Sequence, residues 1–312
     1  MSDACCAPGR GSEASALDES NPLPAAREGA PDPLVTVPGG LYRIGDESAW
    51  SYPGDGEGPE HEVELSPFRI GRTAVTNRQF LAFVQATGWR TDAEQYEWSF
   101  VFGGLLPDDF PATRGVEGAP WWRQVMGADW CHPEGPQSDV ADRGDHPAVH
   151  VSWKDGQAYC AWAGARLPTE AEWEVAARGG LEGHPFPWGD QLEPDGSHQM
   201  NVFQGEFPGG DTGADGYAGT APVDAFNPNG YGLYNVCGNV WEWCSDWLGL
   251  EYYRTAPLRA PEGPATGALR VQRGGSYLCH ASYCRRYRVS ARFGSAPDSS
   301  SSNVGLRVAA DV

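Results

Sequence analysis

Lysine occurs once, at Lys154, and basic residues are scarce altogether. The chain of 312 residues carries 22 Lys and Arg against 42 Asp and Glu, a formal charge of −20. That balance repels phosphate backbones and anionic lipid headgroups, so no nucleic acid and no membrane surface is expected as a partner. We attach no function to the shortage of lysine itself. No stretch approaches the roughly 18 apolar residues that span a bilayer. The N-terminus MSDACCAPGRGSEASALDESNPLP places an acid at Asp3 and lacks the apolar core of a signal peptide. The expectation is a soluble, cytoplasmic protein, in a compartment where thiols tend to stay reduced. Internal repeats are also missing, as is any C-x-x-C pair of the kind most zinc sites use.

What the sequence has in quantity is glycine (41), proline (26) and tryptophan (13). That mixture predicts a loop-rich fold pinned by large aromatics rather than a helical bundle. Residues 1–33 are rich in Ala, Ser, Pro, Gly and acids without apolar periodicity, and are expected to be a disordered tail. One domain is expected over 34–312. Leu34–Gly45 reads as a strand, a Pro-Gly-Gly turn and a second strand, and His61–Val75 as strands again. Capping-box patterns start three helices: Thr76 with Gln79, Ser152 with Asp155, and Thr169 with Glu172, the last stopped by Gly179–Gly180. Beyond Gly180 the chain reads as loop broken by short strands. The fold class is α+β: a single irregular domain with low regular secondary structure. Loops this long imply bound ions or a function that fixes them.

Eight cysteines are present, and Cys279 and Cys284 stand five residues apart in RGGSYLCHASYCRRYRVSAR. On a strand that offset points side chains to opposite faces. On a helix it leaves roughly 140° between them. Two sulfurs sharing one partner therefore require a bend through His280–Tyr283. Two thiolates suit a soft, low-coordinate ion such as Cu(I) better than zinc. Arg285, Arg286 and Arg288 would favour thiolate over thiol. A local disulfide, or two unrelated core cysteines, fit the spacing as well.

The surrounding residues narrow this. GGSYLCHASYCRRYRVSAR with APDSSSSNVGLRVAAD (Ala296–Asp311) closely resembles the C-terminal signature of formylglycine-generating enzymes, the sulfatase-modifying factors. HPAVHVSWKDGQAYCAWAGARLPTEAEWEVAARGG (His146–Gly180), FPWGD (Phe186–Asp190), NVFQGEFP (Asn201–Pro208), NGYGLYNVCGNVWEW (Asn229–Trp243) and VPGGLYRIG (Val37–Gly45) resemble the same family. The likeness covers 34–312. It implies the formylglycine-generating enzyme fold, related to the C-type lectin-like scaffold. LPTEAEWE and GLYNVCGNVWEW also occur in inactive or differently active relatives. The pair Cys279/Cys284 with Ser276 is what points to aldehyde-forming members; a pure binding module has no reason to keep both cysteines.

The resemblance implies an oxidoreductase that converts the cysteine of an unfolded sulfatase segment, Cys-X-Pro-X-Arg, to Cα-formylglycine with O2 as co-substrate. Cys279 and Cys284 would hold Cu(I), with the substrate thiol as a third sulfur ligand. Trp241 and Ser276 map to the oxygen pocket, where Trp241 could equally be core packing. Ser300 and Asn303 would add polar contacts, and His280 either a helper role or a structural hydrogen bond. Two structural Ca²⁺ sites carry over: Asn201, Val202, Asp215 and Tyr217, and Asn235, Gly238, Val240 and Glu242, with Val202, Tyr217, Gly238 and Val240 giving backbone carbonyls. Hard oxygen donors of this kind suit calcium; turn capping by Asn235 and Glu242 is the alternative. Cys237 and Cys244 read as inert core. The tail itself contains Cys6-Ala7-Pro8-Gly9-Arg10, which fits the target pattern. Chance in an Ala/Pro/Gly-rich tail, and an internal substrate or pseudosubstrate, are both open.

Overall fold

The computed structural model describes residues 6–10, 22–26 and 33–312. Four α-helices are found among the described residues: α1 (Asn77–Thr87), α2 (Asp92–Tyr96), α3 (Trp153–Ala163) and α4 (Glu170–Arg178). None is long and apolar enough to cross a membrane. Thr76, Ser152 and Thr169 cap α1, α3 and α4 with complete capping boxes. In each, the hydroxyl accepts the N3 backbone N–H while the N3 side chain accepts the cap N–H, so two orphan donors are satisfied together. Helix α2 starts at Thr91 with Glu94 in the same device. It has only five residues, and the apolar run that follows, Trp98–Phe102, is a strand, so no helical periodicity marks it.

The strands predicted on either side of Pro38-Gly39 form, but they do not pair with each other. Leu34–Val37 pairs with Phe68–Gly71, which also takes Ala309–Asp311 from the end of the chain. Gly40–Ile44 pairs with His61–Leu65. A four-stranded sheet runs in the order Arg292–Ser295, Arg270–Arg273, Trp241–Trp247, Val304–Leu306. Trp98–Phe102, Ala119–Met126 and Arg114–Val116 make a further antiparallel sheet. The result is the α+β, loop-rich domain expected.

Tryptophans pin the loops as their composition suggested. Trp173, Trp241 and Trp243 are fully buried. Two use their polar edge as well: Trp243 Nε1 donates to the Val151 carbonyl at 3.0 Å and Trp173 Nε1 to Glu242 at 2.7 Å. Buried arginines add a second framework. Arg273 bridges Glu170 and Glu174 of α4, and Arg292 grips Glu170 through two N–H groups at 2.7 Å. Burial opposes ionisation of Glu174, yet Arg178 and Arg273 beside it hold its carboxyl down at about 2. Removing one partner of such a set leaves an uncompensated buried charge, typically at a cost of about 3–5 kcal/mol.

Of the expected disordered tail, residues 1–5, 11–21 and 27–32 lie outside the described residues, and the described stretch 6–10 departs from expectation. Cys6, Ala7, Pro8 and Arg10 are buried against the domain and Gly9 is exposed. The polar, Pro/Gly-rich composition that suggests disorder carries no information about a groove elsewhere in the chain that accepts these five residues.

Candidate active site

Strand Arg270–Arg273 runs into Gly274 and Gly275, with φ of 95° and 75°. A Cβ on Gly275 would stand 2.6 Å from the Arg286 carbonyl oxygen and 2.9 Å from Tyr287 Cα, so glycine is what lets these two segments close. The chain then turns twice. Cys279 N–H donates to the Ser276 carbonyl at 2.9 Å, and Cys284 N–H to the His280 carbonyl at 2.7 Å. This is the bend the five-residue spacing requires. It brings the Cys279 and Cys284 sulfurs to 3.7 Å, both buried and well beyond the ~2.05 Å of a disulfide to each other. Burial, and then the neighbouring Cys284, push the Cys279 thiol well above its ordinary value.

Of the three arginines expected to favour thiolate, one faces the sulfurs. Arg286 Nη1 lies 3.7 Å from Cys284 Sγ, with its charge shared by Asp55. Arg288 instead forms a buried bidentate pair with Glu57 at 2.6 and 2.7 Å. The Arg285 guanidinium lies over Trp50 and Tyr52 and donates to the Ala49 carbonyl. Glu57 captures Arg288, and Trp50, Tyr52 and the Ala49 carbonyl capture Arg285, which corrects the expectation for these two residues.

The oxygen-pocket candidates separate into two groups. Ser276, Asn303 and Trp241 come together. Asn303 Nδ2 donates to Ser276 Oγ at 2.9 Å, and Trp241 N–H donates to the Asn303 carbonyl at 2.9 Å. The Trp241 ring stands 5.8 Å from that of Phe293, and its indole N–H is buried with no acceptor among the described residues. His280 is not part of this cluster: half-buried, its Nδ1 pairs with Ser282 Oγ at 2.7 Å. Ser300 lies elsewhere in the groove, bonded to Ser99 Oγ at 2.8 Å. Buried His150 continues that chain, its Nδ1 2.8 Å from Ser99 Oγ. Desolvation lowers the His150 imidazole to about 4.

The calcium candidates form two loop clusters. In the first, one Asp215 oxygen accepts the Val202 N–H at 2.9 Å and the other the Tyr217 N–H at 3.1 Å. Asn201 is buried beside them and donates to the Gly219 carbonyl. Burial pushes the Asp215 carboxyl up. In the second, Asn235 takes a left-handed φ of 48° and buries a side-chain oxygen that has no donor among the described residues. An orphaned acceptor of this kind fits an oxygen-ligated cation. Glu242 fits less well. Arg307 holds both its oxygens at 2.8 and 2.9 Å and Trp173 adds a third donor.

The described tail residues complete the groove. Cys6 Sγ lies 3.0 Å from Cys284 Sγ, and Arg286 Nη1 is 3.2 Å from Cys6 Sγ. The Cys6 carbonyl accepts the second Asn303 amide proton at 2.9 Å. At the other end the Arg10 guanidinium is sandwiched 4.2 Å from Tyr96 and 4.1 Å from Trp98. It donates to the carbonyls of Trp98 at 2.7 Å and Asp298 at 3.2 Å and to Ser300 Oγ at 2.9 Å, while Ser299 Oγ accepts its backbone N–H. Burial lowers this guanidinium to about 10, so it remains a cation at neutral pH.

The Sulfatase-modifying factor enzyme 1-like domain matches residues 20–312. The chain belongs to the sulfatase-modifying factor family. A formylglycine-generating enzyme of Thermomonospora curvata is 58% identical over 282 residues, 89% of this chain and 93% of that protein. Another, of Streptomyces coelicolor, is 54% identical over 293 residues, 94% and 93% of the two chains. Among solved structures, PvdO from Pseudomonas aeruginosa has a similar fold, with a TM-score of 0.63 and 27% identity over 89% of this chain and 94% of that one.

Several residues of this groove escape sequence reasoning. Tyr96 and Trp98 flank the end of α2, Ser99 and His150 support Ser300, and Asp55 orients Arg286. The resemblance named Ser300 and not its neighbour Ser299, whose hydroxyl accepts the Arg10 backbone N–H.

Proposed function

We propose that this chain oxidises the cysteine of a Cys-X-Pro-X-Arg segment in an unfolded sulfatase to Cα-formylglycine, with Cu(I) as cofactor and O2 as co-substrate, in a reducing cytoplasmic setting. One observation carries the reading: the buried sulfurs of Cys279 and Cys284 meet at one end of a groove whose other end is an arginine clamp. The donor set fits copper, because two buried thiols with no carboxylate or imidazole between them are soft ligands. Copper, when bound, supplies the one-electron and O2 chemistry that side chains lack.

The chain's own residues supply the rest. Cys279 and Cys284 would hold the metal; Arg286, close to the Cys284 sulfur, would stabilise thiolate charge in a site where burial alone favours the thiol. Asn303 fixes the Ser276 hydroxyl with one amide proton and offers the other to a peptide carbonyl. Trp241 excludes water, and its buried indole N–H has no acceptor among the described residues. Tyr96 and Trp98 select a planar cation, and Ser300 with the Trp98 carbonyl reads its N–H groups. Calcium, at the Asp215 loop and at Asn235, would neutralise buried oxygens and order the loops around them. The test is incubation of the protein with a Cys-X-Pro-X-Arg peptide, Cu(I), O2 and a thiol reductant. Aldehyde at the peptide cysteine, dependent on both Cu(I) and O2, is expected; an unchanged cysteine overturns the reading.

A further inference from the structure

We propose that Cys6 is itself a modification site: the chain docks its own Cys6–Arg10 segment in the peptide groove and converts Cys6 to formylglycine. This rests on the function proposed above, and it adds a substrate that the chain carries within itself.

The contacts are those of a ligand held at both ends. Cys6 Sγ stands 3.0 Å from Cys284 Sγ, the Cys6 carbonyl is gripped by Asn303, and Arg10 is stacked between two aromatic rings with three side-chain hydrogen bonds. Pro8 is buried between these anchors, whereas Gly9 faces solvent, and a Cβ there would meet Ser299 Oγ at an unstrained 3.6 Å. Cysteine, proline and arginine are thus engaged, and the residue between proline and arginine is unrestricted. Chance similarity of a loose tail does not explain burial of a guanidinium, which is desolvated only where a prepared site compensates it.

The step balances with reagents of stated class. The Cys6 Cβ loses one hydrogen and its C–S bond and gains a C=O bond. One O2 is consumed, with two electrons and two protons from a thiol reductant. The products are the aldehyde, hydrogen sulfide, water and the reductant's disulfide. Being part of the same chain also raises the segment's effective concentration at the groove above that of a free peptide, so it competes with any external peptide.

The experiment uses the full chain, freshly reduced, with Cu(I), O2 and a thiol reductant, alongside an equimolar external Cys-X-Pro-X-Arg peptide in a separate vessel. An aminooxy probe and tandem mass spectrometry locate any aldehyde and separate Cys6 from Cys5. The expected result is aldehyde at Cys6, at a fractional rate independent of protein concentration. It should be absent in Cys279→Ser and at least several-fold slower in Arg10→Ala, which still turns over the external peptide. Aldehyde on the external peptide with Cys6 still fully alkylatable overturns this proposal and leaves the function standing. Aldehyde on neither overturns both.

Discussion

Asn303 donates one amide proton to Ser276 Oγ at 2.9 Å, tying the start of strand Val304–Leu306 to the loop that carries Cys279. Its other amide proton holds the Cys6 carbonyl at the same distance. One side chain therefore aligns the hydroxyl beside the sulfur pair and the backbone of whatever lies in the groove. Replacing Asn303 by Leu leaves Ser276 without this donor and removes a substrate contact. A lost buried hydrogen bond costs about 1–3 kcal/mol. The expectation is a fall in kcat/KM of roughly 10- to 100-fold, with both kcat and KM affected, and steady-state kinetics on the peptide aldehyde assay measures it.

The aromatic clamp predicts a different split. Trp98→Ala removes one of the two faces over the arginine. A desolvated cation–π contact is worth about 0.5–2 kcal/mol, so KM should rise about 2- to 30-fold with kcat near that of the native chain. An Arg→Lys peptide, which keeps charge but loses planarity and its fork of donors, should show the same pattern on the unaltered protein. Equal losses in kcat would instead place Trp98 in the chemistry.

Stability should depend on pH through His150. Its folded pKa, about 4, lies below the ordinary 6.5, so the unfolded chain takes up a proton first as pH falls. The contribution of neutral His150 is complete above pH 6.5 and is lost between about 6.5 and 4, with an upper magnitude on the order of 3 kcal/mol. Calorimetry of His150→Gln should show a flatter Tm against pH over this window than the native chain. Parallel curves would contradict the assignment.

Calcium removal should loosen the loops around Asp215 and Asn235. A ligand bound only by the folded chain stabilises by mass action, about 2.7 kcal/mol at one hundred times Kd. A strong chelator is expected to lower Tm by several degrees, excess Ca²⁺ to restore it, and Asp215→Ala to make Tm insensitive to both. An unchanged Tm in the native chain would count against exchangeable calcium.

Local features were legible in the sequence and long-range pairings were not. The capping boxes at Thr76, Ser152 and Thr169 involve residues three apart, and the bend between Cys279 and Cys284 follows from their offset once both sulfurs are taken to share one partner. The partners of the strand Leu34–Val37 come from Phe68–Gly71, because adjacency in the chain does not decide pairing. Arg285, Arg286 and Arg288 are alike as letters, and only the positions of Asp55, Glu57 and Trp50 in the fold distinguish them. The arginine clamp sets Arg10 against Tyr96, Trp98 and Ser300, some ninety to three hundred positions further along the chain, and no periodicity or spacing rule reaches across such distances. Ser276 and Asn303 were found through resemblance to a family, whereas their contact came from the structure.

The central claim is that the Cys279–Cys284 sulfur pair carries the chemistry. Its most direct test is turnover of a Cys-X-Pro-X-Arg peptide by Cys279→Ser and Cys284→Ser, each first shown to unfold at a Tm close to that of the native chain. The account predicts no detectable aldehyde from either variant while peptide binding, measured anaerobically by isothermal calorimetry, persists. Full turnover by either variant would contradict it.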